Sequence, residues 1–308
     1  MYSVPILLNI FNRPESTQKV LSAIREVQPT TLYVHADGPR ADKLDESVIC
    51  TKCRELIKSM VDWDCDLHIW YEDTNKGCGK GPADAMTWFF QNVEYGIILE
   101  DDCVPNYDFF LFMEDMLLRY KDETKITSVA GSNFQDGHKR GDASYYFSQY
   151  NRIWGWATWK RVWSQYDYYM SDATTESIET VLYNCFSRKC DRQYWSAVLK
   201  TVLSNRMNDT CWDYQFMFLQ WRLGGLTVTP NCNLVSNIGD GPDATHTAWE
   251  NNPNLNRKVD NLYPIHYPKI VKVDVKADNY YMDNYILYRK NLLQRFVRKV
   301  RKIMRKML

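Results

Sequence analysis

The chain has 308 residues, of which 45% are hydrophobic and 25% charged, and this is typical of a globular protein with one large domain or two ordinary ones. Its apolar stretches are far shorter than the roughly 20 residues that span a bilayer, and the amino terminus does not resemble a signal peptide. The formal net charge of zero combines nine Lys or Arg in the last twenty residues with a net charge of −9 on the rest. The composition predicts a cytoplasmic protein and argues against nucleic acid as a partner.

The first 130 residues alternate between predicted strands and helices. Strands are predicted at residues 4–11, Thr31–Ala36, Asp66–Tyr71, 95–99 and Ile126–Ala130, and helices begin at Pro14, near Glu46 and at Pro82. This order predicts an α/β fold with a mostly parallel sheet and a nucleotide-binding half at 1–130. Residues 131–285 are richer in aromatic residues, and we expect them to form an acceptor-binding half of the same domain, 1–285.

Two short motifs in this half admit structural explanations. Cys50 and Cys53 form a CxxC pair, but no second pair follows at zinc spacing, so reduced thiols on a helix are the favoured interpretation. The glycine-rich run 77–81 fits neither the dinucleotide nor the P-loop pattern and is predicted to be a mobile loop. From that position, Asn75 and Lys76 could still approach a bound nucleotide.

Three acids follow the predicted strand 95–99. Glu100, Asp101 and Asp102 stand at its carboxyl end, which is where open α/β sheets bind ligands. Carboxylate oxygens are the ligands that Mg²⁺ and Mn²⁺ prefer, and such ions commonly bridge a protein carboxylate and substrate phosphates. The order of strand, acids and helix therefore predicts a site for Mn²⁺ or Mg²⁺.

Other polar residues also follow the early strands. Asn12 and Arg13 lie where the first strand meets a helix amino terminus, a position suited to a nucleotide base or phosphate. Asp37 follows the second strand and could accept hydrogen bonds from a ribose or base, although Asp-Gly-Pro is also an ordinary turn. Together with Asn75, Lys76, Glu100 and Asp101, these residues form the predicted donor-binding set.

Several motifs give the chain a resemblance to a known family. They are IILEDD at 97–102, NYDFF at 106–110, WGW at 154–156, CWD at 211–213, NIG at 237–239 and ATHT at 244–247. Over roughly residues 4–250, the chain resembles GT-A-type inverting glycosyltransferases, in particular the family of the Golgi N-acetylglucosaminyltransferase that starts complex N-glycan branching and its bacterial relatives. The match departs from the family pattern at Asp213-Tyr214, where the family has two acids.

The resemblance implies a GT-A-like fold and a metal-dependent transfer of a sugar, with inversion, from a nucleotide-diphosphate donor, UDP-sugar favoured. The acceptor would be a saccharide or lipid-linked molecule in surface-polysaccharide or glycan assembly. Asp102 and His246 would hold the metal, and Asp213 would be the catalytic base. Trp154, Gly155 and Trp156 would contact the sugar or acceptor, although tryptophans in an aromatic-rich region are also common core residues.

The basic tail predicts a second kind of contact. Residues 286–308 have apolar positions at helical spacing and basic residues between them, as in a basic amphipathic helix. Such a helix can lie on an anionic membrane surface, which predicts a peripheral location on the inner face of the membrane. Docking of the helix on its own domain or on another subunit is the alternative.

Two other functions are compatible with these residues. A catalytically silent carbohydrate- or membrane-binding protein could keep the same fold. A sugar nucleotidyltransferase is less favoured by the sequence, since residues 11–14 lack the basic glycine-rich pattern that its first loop would need.

Overall fold

The structure, a computed structural model, describes residues 1–205, 211–239 and 254–287. The predicted metal ligand His246 and the basic segment 288–308 lie outside the described residues. Within the described ranges, no helix has both the length and the apolar composition needed to cross a bilayer.

Strands and helices alternate through the first 130 residues, as predicted. The strands are β1 (Ile6–Ile10), β2 (Thr31–Ala36), β3 (Asp66–Tyr71), β4 (Tyr95–Glu100), β5 (Cys103–Pro105) and β6 (Ile126–Ala130). The helices are α1 (Pro14–Val27), α2 (Glu46–Met60), α3 (Gly77–Asn92) and α4 (Tyr107–Arg119). Each strand of the centre is apolar on both faces, because helices cover both sides of the sheet.

The second half adds shorter strands and more helices. Its strands are β7 (Tyr145–Ser148), β8 (Trp156–Trp159), β9 (Leu226–Pro230) and β10 (Val235–Asn237). Its helices are α5 (Lys160–Trp163), α6 (Thr175–Cys185), α7 (Lys189–Ser204), α8 (Asp213–Arg222) and α9 (Val275–Tyr281), the last continued by a π-helical turn, Met282–Ile286.

Eight strands form one sheet in the order β3-β2-β1-β4-β8-β6-β9-β7. Strands β1 to β4 are parallel, and β8 runs antiparallel to both β4 and β6. The remaining strands, β5 and β10, pair as a separate antiparallel ribbon. This is a GT-A-like α/β fold, so the predicted fold class is confirmed. The strand order reverses between β1 and β4, and ligands of open α/β sheets bind outside the carboxyl ends of the strands at such a point.

The main core crosses the predicted boundary between the two halves. It is built on the sheet and includes Trp156, Trp212 and Phe216 from beyond residue 130. A smaller apolar cluster lies among α6, α7 and α8. The division into a nucleotide-binding half, 1–130, and an acceptor-binding half, 131–285, stays a prediction.

The glycine-rich run was predicted to be a loop, with the helix beginning at Pro82, and this was wrong. Helix α3 begins at Gly77, so the glycines form its first turn and Pro82 lies in its second. The physical reason is tertiary, because the carboxylate of Asp37 accepts the backbone N–H groups of Lys76 and Gly77 and fixes the start of the helix.

Every cysteine of the chain lies in the described ranges, and all nine are free thiols. Cys50 and Cys53 lie in α2 and are buried, as expected for structural helix residues.

Candidate functional site

Three strands bring polar side chains into one row at the switch point of the sheet. The register pairs His35 of β2 with Asn9 of β1, and Asn9 with Glu100 of β4. Directly opposite residues of neighbouring strands point to the same face of a sheet. His35 and Asn9 are buried and Glu100 is half-buried, so exposure increases along the row towards Glu100.

The acids after β4 are tied to the first loop through Arg13. The Arg13 Nη1 atom donates to Asp102 Oδ2 at 2.8 Å and to Asp101 Oδ1 at 3.2 Å. Asp101 Oδ2 also accepts the backbone N–H of Phe11 at 3.0 Å. The predicted residues Arg13, Asp101 and Asp102 therefore lie together, and Asp101 is mostly occupied in holding the loop between β1 and α1.

The electrostatics of this cluster favour an added cation. Burial, followed by the charges of Asp102 and Asp101, raises the pKa of Glu100 to about 8. Burial and the charge of Asp102 raise the pKa of Asp101 to about 6, although Arg13 lowers it in part. Because one guanidinium does not balance three carboxyl groups, the cluster retains protons that a divalent cation would displace.

The donor atoms fit a hard divalent cation. Glu100, Asp102 and Cys103 each offer one potential ligand atom, and these atoms lie within 4.8 Å of one another. Burial and the neighbouring acids raise the pKa of the Cys103 thiol well above its usual range, and its S–H donates to Asp102 Oδ1 at 3.4 Å. A protonated thiol is a poor ligand, so the carboxylate oxygens of Glu100 and Asp102 define the site, and they suit Mg²⁺ or Mn²⁺.

A strand from the second half closes over Asp102. The Asn237 Nδ2 atom lies 3.4 Å from Asp102 Oδ1, and the Ile238 N–H donates to the Asp102 carbonyl oxygen at 2.8 Å. A Cβ atom at Gly239 would lie only 2.1 Å from Asp102 Oδ2. A side chain at 239 would therefore have to displace the Asp102 carboxylate, which occupies that space.

We expect Gly239→Ala to lower the affinity for Mn²⁺ roughly tenfold, since the new methyl group must push the Asp102 carboxylate out of position. Titration calorimetry with MnCl₂ measures this. Gly225→Ala is a matched control, because its Cβ would collide with Thr127 at 2.3 Å outside the acidic cluster. An unchanged Mn²⁺ affinity in Gly239→Ala would contradict the proposed ligand role of Asp102.

Asp37 organises the beginning of α3. Its carboxylate accepts the backbone N–H groups of Gly38, Lys76 and Gly77 and the Asn75 Nδ2 group, at 2.7 to 3.1 Å. Burial nevertheless raises its pKa. Both oxygens are thus engaged within the protein, and Asp37 and Asn75 position the helix terminus at which Lys76 lies exposed.

Asn12 also has a structural partner. Its Nδ2 atom donates to Glu46 Oε1 at 2.9 Å, and Glu46 in turn accepts the backbone N–H of Arg40 at 2.7 Å. Asn12 therefore connects the first loop to the start of α2.

The predicted sugar-binding aromatic residues divide into two kinds. Trp156 is 1% exposed and stacks on Trp212 with ring centroids 5.7 Å apart. No face of its ring is accessible to a sugar, which corrects the prediction for Trp156. Trp154 is half-buried beside Phe134, and Gly155 adopts φ +61° where a Cβ would meet Val235.

Asp213 lies at the first position of α8 and is half-buried. Its charge is one of those that raise the pKa of Glu100, so the fold brings it towards the acidic cluster. His246 lies outside the described residues, so its role as a metal ligand stays a prediction.

Sequence reasoning missed His35 and Asn9. The His35 Nε2 and Asn9 Oδ1 atoms are buried and have no hydrogen-bond partner among the described residues. Each residue interrupts an apolar strand, LLNI in β1 and YVHA in β2. A polar residue inside a buried strand was the available sign, because an unpaired buried polar atom is costly.

No protein-family model matches the sequence, and no curated protein is significantly similar to it. Among solved structures, 4-diphosphocytidyl-2C-methyl-D-erythritol synthase from Anaerococcus prevotii is similar over 65% of this chain and 100% of its own, with a TM-score of 0.34 and 11% identity. A UDP-glucose pyrophosphorylase complexed with UDP-glucose is similar over 53% of this chain and 78% of its own, with a TM-score of 0.30 and 8% identity.

These comparisons correct the predicted reaction. The similar structures are nucleotidyltransferases, which contradicts the prediction of an inverting glycosyltransferase. The catalytic role of Asp213 stays a prediction. The resemblance to the Golgi N-acetylglucosaminyltransferase family extends only to the GT-A-like fold.

Proposed function

We propose that the protein is a metal-dependent sugar nucleotidyltransferase, which transfers a nucleotidyl group from a nucleoside triphosphate to a sugar phosphate. The observation that carries the proposal is the convergence of Glu100 and Asp102 with Arg13 at the carboxyl end of β4. Paired carboxylates for a divalent cation beside a guanidinium form a suitable environment for a polyphosphate.

The reaction needs little from the protein beyond positioning and charge. A phosphate oxygen of the sugar phosphate attacks the α-phosphorus, the new P–O bond forms, and the bond from the α-phosphorus to the bridging oxygen breaks to release pyrophosphate. The attacking phosphate, with a second pKa of about 6, is already ionised at neutral pH. This reaction therefore requires no general base, in contrast to attack by a sugar hydroxyl.

The roles of the chain's own residues follow from their positions. Glu100 and Asp102 would hold Mg²⁺ or Mn²⁺, which supplies charge stabilisation at the phosphate oxygens when bound. Arg13 can exchange its ion pair with Asp102 for one with a phosphate, because its side chain remains 29% exposed. Asp37 keeps the amino terminus of α3 and Lys76 in place for the remaining phosphates.

The start of α3 at Gly77 supplies the basic glycine-rich segment that the first loop lacks. Residues 11–14 lack a basic glycine-rich pattern, but residues 76–81 supply three glycines and two lysines at a helix amino terminus, next to the polar row. A Cβ at Gly81 would lie 3.6 Å from His35 and 3.8 Å from Asp37 Oδ2, so this turn packs directly against the row.

Pyrophosphate release tests the proposal. Purified protein is incubated with each of UTP, CTP, GTP and dTTP, a panel of sugar 1-phosphates, and Mn²⁺ or Mg²⁺. We expect metal-dependent pyrophosphate release with one nucleotide, and thermal shifts with the same nucleotide before the sugar phosphate is added. Nucleotide binding without turnover would indicate the catalytically silent protein, and absence of both binding and turnover would overturn the proposal. A cytoplasmic location and membrane contact through 286–308 stay predictions.

A further inference from the structure

Arg152 is a buried arginine that forms no salt bridge within the described part of the chain. Arg152 is only 6% exposed, and its Nη1 atom donates to the Asn151 carbonyl oxygen at 3.0 Å. Its Nε atom is buried and has no hydrogen-bond partner, and the guanidinium forms no salt bridge with any residue in the described ranges. A buried charge without a counter-ion is costly, so it is expected to have a functional or structural reason.

Aromatic rings hold the guanidinium in a fixed position. Its central carbon lies 3.5 Å from the ring centroid of Tyr281, 5.5 Å from that of Tyr150 and 5.7 Å from that of Phe134. These rings favour the cation through their π faces. The carboxylate of Asp278 is near enough for Arg152 to lower its pKa, yet it accepts hydrogen bonds from Ser148 Oγ and the Gln149 N–H instead.

Arg152 lies at the same end of the sheet as the acidic cluster. Strand β8 begins at Trp156, opposite Ile98 near the carboxyl end of β4. A Cβ at Gly155 would lie 2.7 Å from Val235 of β10, and Asn237 of the same strand contacts Asp102. Arg152 precedes Trp154 by two residues, and both side chains contact the ring of Phe134. The guanidinium therefore lies in a segment that adjoins the acidic cluster.

Two further donors in the adjoining segments also lack partners. The segments 131–134 and 151–155 run side by side, since the Gly131 N–H donates to the Gly155 carbonyl oxygen at 2.8 Å. Ser132 Oγ and Asn151 Nδ2 are buried atoms without a hydrogen-bond partner among the described residues. Hydroxyl, amide and guanidinium donors left unpaired in neighbouring segments are what an oxyanion would satisfy.

We propose that Arg152, with Ser132 and Asn151, binds a phosphate monoester, the phosphate of the sugar-phosphate substrate. This inference rests on the proposed nucleotidyl transfer for the identity of the ligand. The contacts of the guanidinium with Tyr281 and Phe134 preorganise it, so a phosphate gains charge-assisted hydrogen bonds at little further cost in side-chain entropy.

The test compares Arg152→Met with wild type, because methionine keeps much of the apolar stem that packs on the rings. Glucose 1-phosphate, inorganic phosphate and glucose are titrated calorimetrically, with and without Mn²⁺ and the non-hydrolysable α,β-methylene analogue of UTP. Arg119→Met is the matched control, since Arg119 also stacks on a ring, that of Tyr267 at 3.5 Å, but forms an ion pair with Asp115 away from the site.

We expect the Kd for glucose 1-phosphate to rise roughly tenfold or more in Arg152→Met and to stay near the wild-type value in Arg119→Met. Glucose should not bind with comparable affinity. If Arg152→Met does not fold, Arg152→Lys serves instead, and it should show a smaller loss because an ammonium group cannot donate as a planar fork.

Two results would overturn the inference: no binding of either phosphate compound to the wild type, or equal affinities for wild type and the Arg152 variants. The nucleotide titration separates this failure from failure of the proposed function. Arg152-dependent binding of glucose 1-phosphate by a protein that binds none of UTP, CTP, GTP and dTTP would leave the phosphate site standing and remove the nucleotidyl transfer.

Discussion

Asp102→Asn is expected to abolish metal-dependent nucleotide binding and to reduce turnover by roughly 100-fold or more, because one of the two carboxylates that define the cation site becomes a neutral amide. The amide oxygen can still accept the hydrogen bond from Arg13, which now reaches Asp102 Oδ2 at 2.8 Å. The fold of the first loop should therefore survive the change. Calorimetric titration with Mn²⁺ and then with the nucleotide that passes the screen measures both effects.

Asp115→Asn controls for the loss of one negative charge. Asp115 lies on α4, where it pairs with Arg119 and accepts a hydrogen bond from the Tyr267 hydroxyl, so it takes no part in the acidic cluster. Its Mn²⁺ affinity should equal that of wild type. Full metal-dependent turnover by Asp102→Asn would remove the cation site from the end of β4.

His35→Phe is expected to make the protein less sensitive to acid. Burial lowers the pKa of His35 to about 4 in the folded protein from an ordinary value of 6.5, with a smaller lowering by the charge of Arg54 and an opposing effect of Asp84. Between these two pH values, the unfolded chain binds a proton that the folded protein does not, so stability falls as the pH falls. From pH 7.5 to pH 5, this loss amounts to about 2 kcal/mol in the free energy of unfolding.

Urea unfolding of wild type and His35→Phe at pH 7.5, 6.5 and 5 measures the difference. Phenylalanine keeps an aromatic ring next to Trp70, whose ring centroid lies 5.3 Å from that of His35, and it removes the titrating group. His68→Phe is the control, because the His68 side chain is 37% exposed, whereas His35 is buried. If wild type and His35→Phe lose stability equally, His35 does not titrate as a buried neutral group.

The motif IILEDD at 97–102 shows both the strength and the limit of sequence reasoning here. A buried strand followed by acids predicted where the carboxylates lie, since the carboxyl ends of parallel strands share one edge of a sheet. The reaction was inferred from resemblance to a family, and it was the part that the similar structures contradicted. A fold that binds nucleotides supports several transferase reactions, and the residues that distinguish them come from distant parts of the chain.

The predictions for Trp156 and for residues 77–81 were wrong for a common reason. Trp156 was considered with its neighbours Trp154 and Gly155, but strand pairing turns its ring into the core against Trp212. The glycines were considered with their own turn chemistry, but the carboxylate of Asp37, forty residues earlier, fixes them as the start of a helix. In both cases, a contact distant in sequence overrode a local preference.

By itself, the sequence determined the alternation of strands and helices, the parallel first half of the sheet, and the position of three acids at the end of β4, because hydrophobic periodicity and strand direction are local properties. Only the tertiary structure decided which acid is held by which partner. It paired Arg13 with Asp102, fitted Gly239 against that carboxylate, aligned His35 with Asn9 and Glu100, and buried Arg152 without a salt bridge to any described residue. Those outcomes depend on burial and on contacts between residues far apart in the chain, which set pKa values and unmet hydrogen bonds and which no local pattern encodes.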